Sequence, residues 1–201
     1  LLGIPPAEFA APQGEKWSPA EHVRHLAKST YPLVGALGLP KLLLGLRFGR
    51  ANVPSKRFTE LRETYRTMLR ETGATAGRFT PAPMALPGDL AAWQQEVLAR
   101  WRGAVVALAG KIPHWSEGTL DRYRLPHPLL GKLTVREMLL FTVYHNAHHV
   151  EQVAGELELL AAHAVRPLVH RRVDVAVVAD GLPEALDALL VPRLGGADEV
   201  V

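Results

Sequence analysis

The longest segment without a helix-breaking residue places the strongest constraint on the fold of this chain. Residues 135–154 contain neither glycine nor proline, and apolar residues recur along them at three- and four-residue steps. Thr134 precedes this segment and Glu137 follows three residues later, which is the pattern of a capping box at a helix start. The sequence therefore predicts one long helix from Thr134 to about His163.

Three further segments carry a helical pattern. Ser18 and Glu21 form a second capping-box start, for a helix that we expect to end near Gly38. Residues 57–72 and 89–110 repeat apolar residues at helical spacing, and connections rich in proline and glycine separate the segments. Because the chain shows almost no alternating pattern, these helices predict an all-α fold, an antiparallel four-helix bundle.

The end of the chain has a different pattern. Residues 173–179 form a β-branched run, and residues 183–190 follow with a short helical pattern. We therefore expect a helical domain at 14–164 and a short C-terminal appendage at 165–201, to which the sequence assigns no chemistry.

The charge balance argues against nucleic acid as a partner. The chain has 201 residues with 23 Lys and Arg against 20 Asp and Glu, a formal net charge of +3, which is too small for an electrostatic footprint. The segment from Lys41 to Arg57 is basic but lacks interleaved aromatics, and we interpret it as a solvated loop. No apolar run reaches the length of a membrane span and the N-terminus has no basic signal region, so we expect a cytoplasmic protein without membrane partners.

Histidine is the residue type that suggests chemistry. The chain has nine histidines and no cysteine, so any metal site must use imidazole and carboxylate groups. His145 and His149 lie one helical turn apart on one face, as a shared metal ion requires, while His148 falls to one side. Spacing alone leaves two interpretations open, which are metal ligation and hydrogen-bonded histidines partly buried among the helices.

The histidine face of the last predicted helix continues through Met138, Phe141, Gln152 and Glu156. We expect it to border a separate face that is wholly apolar. That apolar face comprises Leu139, Val143, Ala147, Val150, Ala154 and Leu157.

A third metal ligand must come from another helix. His22 and His25 lie in the first helix and either can supply it, since a bundle builds metal sites from inward-pointing side chains of facing helices. The pattern alone does not determine which of the two points inward. We expect the isolated histidines to be surface residues, namely His114, His127, His163 and His170.

Two known metal motifs are excluded. The H-E-x-x-H zinc protease motif needs a glutamate directly after the first histidine, and that position is Asn146. Di-iron carboxylate bundles need Glu-x-x-His pairs, and no glutamate of this chain is followed three residues later by histidine. Peptidase and di-iron chemistry are therefore not predicted.

Two segments resemble the signatures of the DinB/YfiT-like superfamily. Residues 17–26, WSPAEHVRHL, resemble its W-S-x-x-E-x-x-x-H-L helix start. Residues 127–137, HPLLGKLTVRE, together with the H-x-x-x-H-x-x-Q pattern at 145–152, resemble its second signature. The order and separation of the signatures also fit, and the resemblance covers roughly residues 14–164.

The resemblance implies a four-helix bundle that holds one divalent metal ion, zinc or nickel in most members and iron in some. Carried over by position, the ligands are His25, His145 and His149, whereas His22 and His148 do not match ligand positions. Members with a known activity include bacillithiol S-transferases and mycothiol-dependent maleylpyruvate isomerases, in which the metal is thought to activate the thiol of a small cosubstrate.

Further polar residues lie close to these positions in the sequence. Gln152 can orient a ligand or substrate, or it can fill the core, and Glu21 can hold the ring of His25 or serve only its capping box. Glu151 completes an H-x-x-x-H-x-E pattern that matches the iron site of the DinB-like domain of sulfoxide synthases. Those enzymes also need a second catalytic domain, and Glu151 lies well round the helix from the histidines, so we do not favour that assignment.

Three neutral imidazoles leave at least one coordination position open, which is typical of a catalytic metal site. A thiol bound there must come from a small molecule, because the chain has no cysteine. We therefore expect a metal-dependent transferase that uses a low-molecular-weight thiol, or a small-molecule hydrolase, with no general base assigned. The alternative is a non-catalytic metal-binding or stress-associated bundle that acts through association, and in either case we expect a homodimer.

Overall fold

The computed structural model describes residues 3–12 and 14–164, which are mostly helical with one small sheet. The helices in this part are α1 (Pro6–Ala10), α2 (Pro19–Leu37), α3 (Lys41–Phe48), α4 (Phe58–Thr72), α5 (Leu90–Ala109), α6 (Glu117–Arg122) and α7 (Val135–Ala164). The antiparallel strands β1 (Arg124–His127) and β2 (Gly131–Thr134) lie between α6 and α7. Short 3-10 turns occur at Gly77–Phe79 and Ile112–His114.

Both predicted capping boxes are present. The Ser18 hydroxyl accepts the Glu21 amide at 3.2 Å, and the Glu21 carboxylate accepts the Ser18 amide at 2.8 Å. At α7, the Thr134 hydroxyl accepts the Glu137 amide at 3.1 Å, and the Glu137 carboxylate accepts the Thr134 amide at 2.8 Å. The predicted starts of these two helices are therefore confirmed, since each box satisfies amides that the first helical turn leaves without a partner.

Buried side chains of these elements form two core clusters. The smaller cluster joins α1, α2 and α5 around residues such as Phe9, Val23 and Trp93. The larger cluster joins the helices α2 to α7 and the sheet, and includes Leu44 and Leu133. Fully burying a side chain of this size contributes roughly 1.5–3 kcal/mol, so these contacts hold α2 and α7 in place.

Two predicted connections contain regular structure. The segment predicted as a solvated loop includes helix α3, because Leu44 is fully buried and anchors that helix in the larger core. The connection after α5 contains α6 and the hairpin, whose turn uses Gly131 at φ +73°. The all-α prediction is therefore correct only in the coarse sense that helices dominate, since a four-residue strand is too short for its alternation to stand out.

The predicted apolar face of α7 is also partly wrong. Ala147 is exposed and Val143 and Val150 are half-buried, whereas His145 and His149 are buried. The buried side of α7 therefore includes the two histidines together with Met138, Leu139, Phe141, Tyr144 and Val153.

A polar cluster fixes the beginning of α7 against neighbouring elements. The Arg136 guanidinium donates to both carboxylate oxygens of Asp121, at 2.7 and 3.2 Å, and to Glu117. The Ser55 hydroxyl donates to Asp121 at 2.6 Å and lies 2.7 Å from the Thr134 hydroxyl. These bonds join α6, α7 and the connection before α4.

The C-terminal appendage predicted at 165–201, including the patterns at 173–179 and 183–190, lies outside the described residues. The predicted domain boundaries stay predictions. Among the helices of the described part, none has a stretch long and apolar enough to cross a membrane.

Candidate metal centre

Three buried imidazoles from two helices meet at one point. His25 comes from α2, and His145 and His149 come from α7. The Nε2 atom of His145 lies 3.1 Å from Nε2 of His25 and 3.1 Å from Nε2 of His149. All three residues are less than one-tenth exposed, and one ligand atom from each lies within 4.8 Å of the others.

Two of the three nitrogen separations match those expected around a shared metal ion. Imidazole nitrogens bind such ions at about 2.0–2.1 Å, which places neighbouring ligand atoms roughly 2.9–3.4 Å apart in octahedral or tetrahedral geometry. Both separations of 3.1 Å from His145 fall in that range, while the three ligand atoms as a set lie within 4.8 Å of one another. The donor set of three imidazoles suits several divalent transition metals, so the geometry does not select one of them.

Burial keeps these rings in the form that binds metal. Desolvation lowers the pKa of His145 to about 3, with further lowering by the charges of neighbouring histidines. Burial also lowers the pKa of His149 and of His25, because it disfavours the charged imidazolium in each case. All three rings are therefore neutral near pH 7, and a neutral imidazole has a lone pair for a metal.

The ring of His25 is oriented by the connection between α4 and α5. Its Nδ1 atom lies 3.0 Å from the Phe79 carbonyl, which can only accept a hydrogen bond. Nδ1 therefore carries the proton, and Nε2 directs its lone pair toward His145. Lys28 donates to the Thr80 carbonyl at 2.9 Å and Arg24 donates to the Ala82 carbonyl at 2.7 Å, which fixes the same connection to α2.

His149 has an orienting partner that sequence reasoning missed. The Nδ1 atoms of His22 and His149 are 2.7 Å apart, and His22 is buried. When His149 donates this hydrogen bond, its Nε2 keeps a lone pair for the metal. The Trp17 ring stacks on His149 with 6.2 Å between centroids and 13° between planes. The sequence does place His22 close to His25 in α2. Sequence reasoning treated the two as alternative metal ligands, whereas in the structure His25 belongs to the triad and His22 contacts His149.

Asn146 occupies the position at which an H-E-x-x-H motif has glutamate, and its contacts are structural. Its side-chain oxygen accepts from the Trp101 indole at 2.8 Å, and its amide donates to the Thr142 carbonyl at 2.8 Å. The bond from Trp101 links α5 to α7, and the bond to Thr142 lies within α7. The neighbouring His145 ring stacks on Phe141 at 5.1 Å between centroids.

The other polar residues singled out from the sequence lie outside the triad. The Glu21 carboxylate accepts from Ser18, and the Phe79 carbonyl contacts His25 in the place proposed for Glu21. Gln152 is exposed and lines the cavity described below. His148, which is half-buried, and Glu151, which is exposed, also line that cavity.

The triad lies on the wall of a cavity of about 1120 Å³. Aromatic and aliphatic side chains make up much of the lining, including Phe141, Met138 and Leu33. His127 also lines the cavity and is half-buried, so its prediction as a surface residue is wrong. His114 is exposed as predicted, while the side chains of His163 and His170 lie outside the described residues.

Comparison with known protein families identifies a match. The family model of the DinB superfamily matches residues 1–153, a range that includes all three histidines of the triad. No curated protein and no solved structure matches the chain significantly.

Proposed function

The chain belongs to the DinB superfamily, and from this premise we propose that it is a metal-dependent enzyme that transfers a low-molecular-weight thiol to a small electrophile. The observation that carries the proposal is the position of the triad. His25, His145 and His149 bring their ligand atoms within 4.8 Å of one another on the wall of a cavity of about 1120 Å³. This volume accommodates both a small thiol and an acceptor.

The chain's own residues would prepare the site in three ways. Burial keeps the ligand imidazoles neutral, as their lowered pKa values indicate. The Phe79 carbonyl and His22 orient His25 and His149. The apolar wall of the cavity would bind the substrate body and exclude water, which strengthens electrostatic interactions inside.

A divalent ion bound by the triad would supply Lewis-acid chemistry, lowering the pKa of a thiol or water so that it becomes a nucleophile near neutral pH. The thiol comes from a small molecule, because the chain has no cysteine. In the transfer, sulfur forms a bond to the electrophilic carbon, the leaving group departs with its electron pair, and the thiol proton passes to solvent. If water enters in place of the thiol, the same arrangement supports hydrolysis of a small substrate.

The finer assignments are part of the same proposal. Zinc or nickel is the expected metal and iron is the next candidate, since all three accept imidazole ligands. We propose that the four longest helices of the described part, α2, α4, α5 and α7, form the four-helix bundle that the family resemblance implies. We also propose a cytoplasmic homodimer that binds neither nucleic acid nor membrane.

Metal analysis of the purified, tag-free chain tests the metal site. We expect about one metal ion per chain in the wild type and in His114→Ala, which changes an exposed histidine outside the site. The triple variant His25→Ala, His145→Ala, His149→Ala should bind none. If added zinc, nickel and iron all fail to bind to the wild type, the metal-dependent proposal is wrong.

A screen of small thiols with electrophilic acceptors then tests the reaction. Thioether formation that disappears in the triple variant would support the transferase, and ester or amide cleavage would support the hydrolase. The second candidate function is a non-catalytic metal-binding or stress-associated bundle. Binding of metal with four protein ligands and no exchangeable position would favour that candidate.

A further inference from the structure

The cavity contains two neutral hydrogen-bond donors that the metal centre does not use. His127 lies at the end of β1 and Tyr65 lies in α4, and both line the cavity. Their rings meet edge to face at 6.1 Å between centroids. Phe141 packs against both rings and against His145 of the triad, so this pair is one aromatic ring away from the metal centre.

The hairpin turn determines the tautomer of His127. The backbone amides of Leu129 and Leu130 both donate to its Nδ1 atom, at 3.2 and 3.0 Å. A nitrogen that accepts hydrogen bonds carries no proton, so the neutral ring must carry its proton on Nε2. Burial lowers the pKa of His127 to about 4, which keeps the ring neutral in the physiological range. His127 is therefore a preset N–H donor.

Tyr65 supplies the second donor. Burial raises the pKa of its phenol to about 12, so the hydroxyl keeps its proton. Within the described part of the chain, neither the Tyr65 hydroxyl nor His127 Nε2 has a hydrogen-bond partner. A donor that lines a cavity without a protein partner is available to a ligand.

We propose that Tyr65 and His127 form a second subsite of this cavity, which binds the carbonyl oxygen of a substrate with an apolar body. Two neutral donors match an uncharged acceptor, and the Phe141, Met138 and Leu125 side chains, which line the same cavity, match an apolar body. The assignment rests on the proposed function only in that this substrate would be the acceptor in the reaction. The subsite itself consists of protein donors and does not require the metal.

Benzamide and toluene are suitable probes because they share an aromatic body and differ in the carbonyl group. NMR titration of metal-free protein with each probe measures the affinity of the subsite without metal. A 15N-labelled histidine spectrum of the same protein should show the His127 proton on Nε2. We expect benzamide to bind more tightly than toluene, by about five- to tenfold, which is the contribution of one typical hydrogen bond.

Variants at His127 separate its two nitrogens. His127→Asn keeps an acceptor for the turn amides and removes the Nε2 donor, so benzamide affinity should fall about five- to tenfold with toluene affinity unchanged. His127→Gln keeps a donor and removes the turn acceptor, so it should lower the thermal midpoint and retain benzamide affinity. Tyr65→Phe should weaken the binding of benzamide and leave the binding of toluene unchanged.

The subsite assignment is wrong if benzamide binds no more tightly than toluene, or if the Asn and Phe variants bind benzamide like the wild type. A proton on His127 Nδ1 would also overturn it. Metal content and thiol reactivity, measured separately on the same preparations, show whether the proposed function fails. If the protein binds benzamide through these donors but binds no metal, the subsite assignment stands and the enzyme proposal is wrong.

Discussion

The Nδ1 atom of His22 lies 2.7 Å from the Nδ1 atom of His149, so a buried imidazole of α2 contacts a candidate metal ligand of α7. Two Nδ1 atoms at this distance must share one proton. Only the arrangement in which His149 donates leaves its Nε2 free to bind metal. We therefore infer that His22 is a positioning residue, which holds His149 in its metal-binding tautomer when His149 is the donor.

Substituting His22→Ala should weaken metal binding without changing the number of sites. Loss of such an orienting partner typically costs about 10–100-fold in metal affinity. A competition titration with a chromogenic chelator measures this change, with His114→Ala as the matched histidine control. Unchanged affinity would contradict the orienting role, and complete loss of binding would show that His22 is itself a ligand.

Metal removal should destabilise the fold, because the ligands come from two helices and the ion would join them. At free metal concentrations 100-fold above the dissociation constant, binding contributes about 2.7 kcal/mol of stability. We expect the thermal midpoint of the wild type to fall when EDTA is added and to recover with excess metal. His145→Ala should show no response to either addition. If neither EDTA nor excess metal changes the thermal midpoint of the wild type, a metal site that links α2 to α7 is contradicted.

Gly77 should be required for the position of the Phe79 carbonyl. It has φ +51°, and a Cβ there would meet no described atom within 4 Å, so an alanine would be strained by its backbone alone. Gly77→Ala should lower the free energy of unfolding by about 1–2 kcal/mol. Gly118→Ala, in helix α6, should instead raise it by roughly 0.5–1 kcal/mol. Urea titrations of both variants measure these opposite changes in the free energy of unfolding. Equal changes in the two variants would contradict the requirement for glycine at position 77.

Leu44 tests whether α3 is packed against the core. It is fully buried, whereas Leu46 in the same helix is 77% exposed. Leu44→Ala should cost about 2–5 kcal/mol of unfolding free energy, and Leu46→Ala should change it by less than about 0.5 kcal/mol. Chemical denaturation of the two variants measures the difference. Equal, small effects of the two substitutions would contradict the packing of α3 and support the solvated loop expected from the sequence.

Acid should weaken the cluster at the start of α7. Hydrogen bonds from Arg136 and Ser55 hold the pKa of Asp121 below its usual value of 3.8. A carboxyl with a lowered folded-state pKa stabilises the protein above its unfolded pKa, and this stability is lost as the pH falls through the folded value. The stability difference between wild type and Asp121→Asn should therefore be full at pH 6 and shrink below pH 3.8. Denaturant titrations across this range measure it, and a difference independent of pH would refute the linkage.

Local chemistry accounts for what could be predicted from sequence. Both capping boxes involve residues three apart, and the i, i+4 spacing places His145 and His149 on one helical face whatever the rest of the chain does. The bounds of α2, α4, α5 and α7 followed from periodicity and from helix breakers for the same reason. The family resemblance added His25 to the set, a choice that spacing alone left open.

Only the tertiary structure brought the distant partners together. His25 and His145 are 120 residues apart, and the Phe79 carbonyl reaches His25 from 54 residues away. No local pattern encodes such contacts, because they depend on how α2, α7 and the α4–α5 connection pack. The same reason explains the missed hairpin, the buried side of α7 and the place of His127 in the cavity. The sequence by itself determined the four longest helices of the described part and two histidines of the candidate site, and packing decided which further groups contact those histidines and line the cavity.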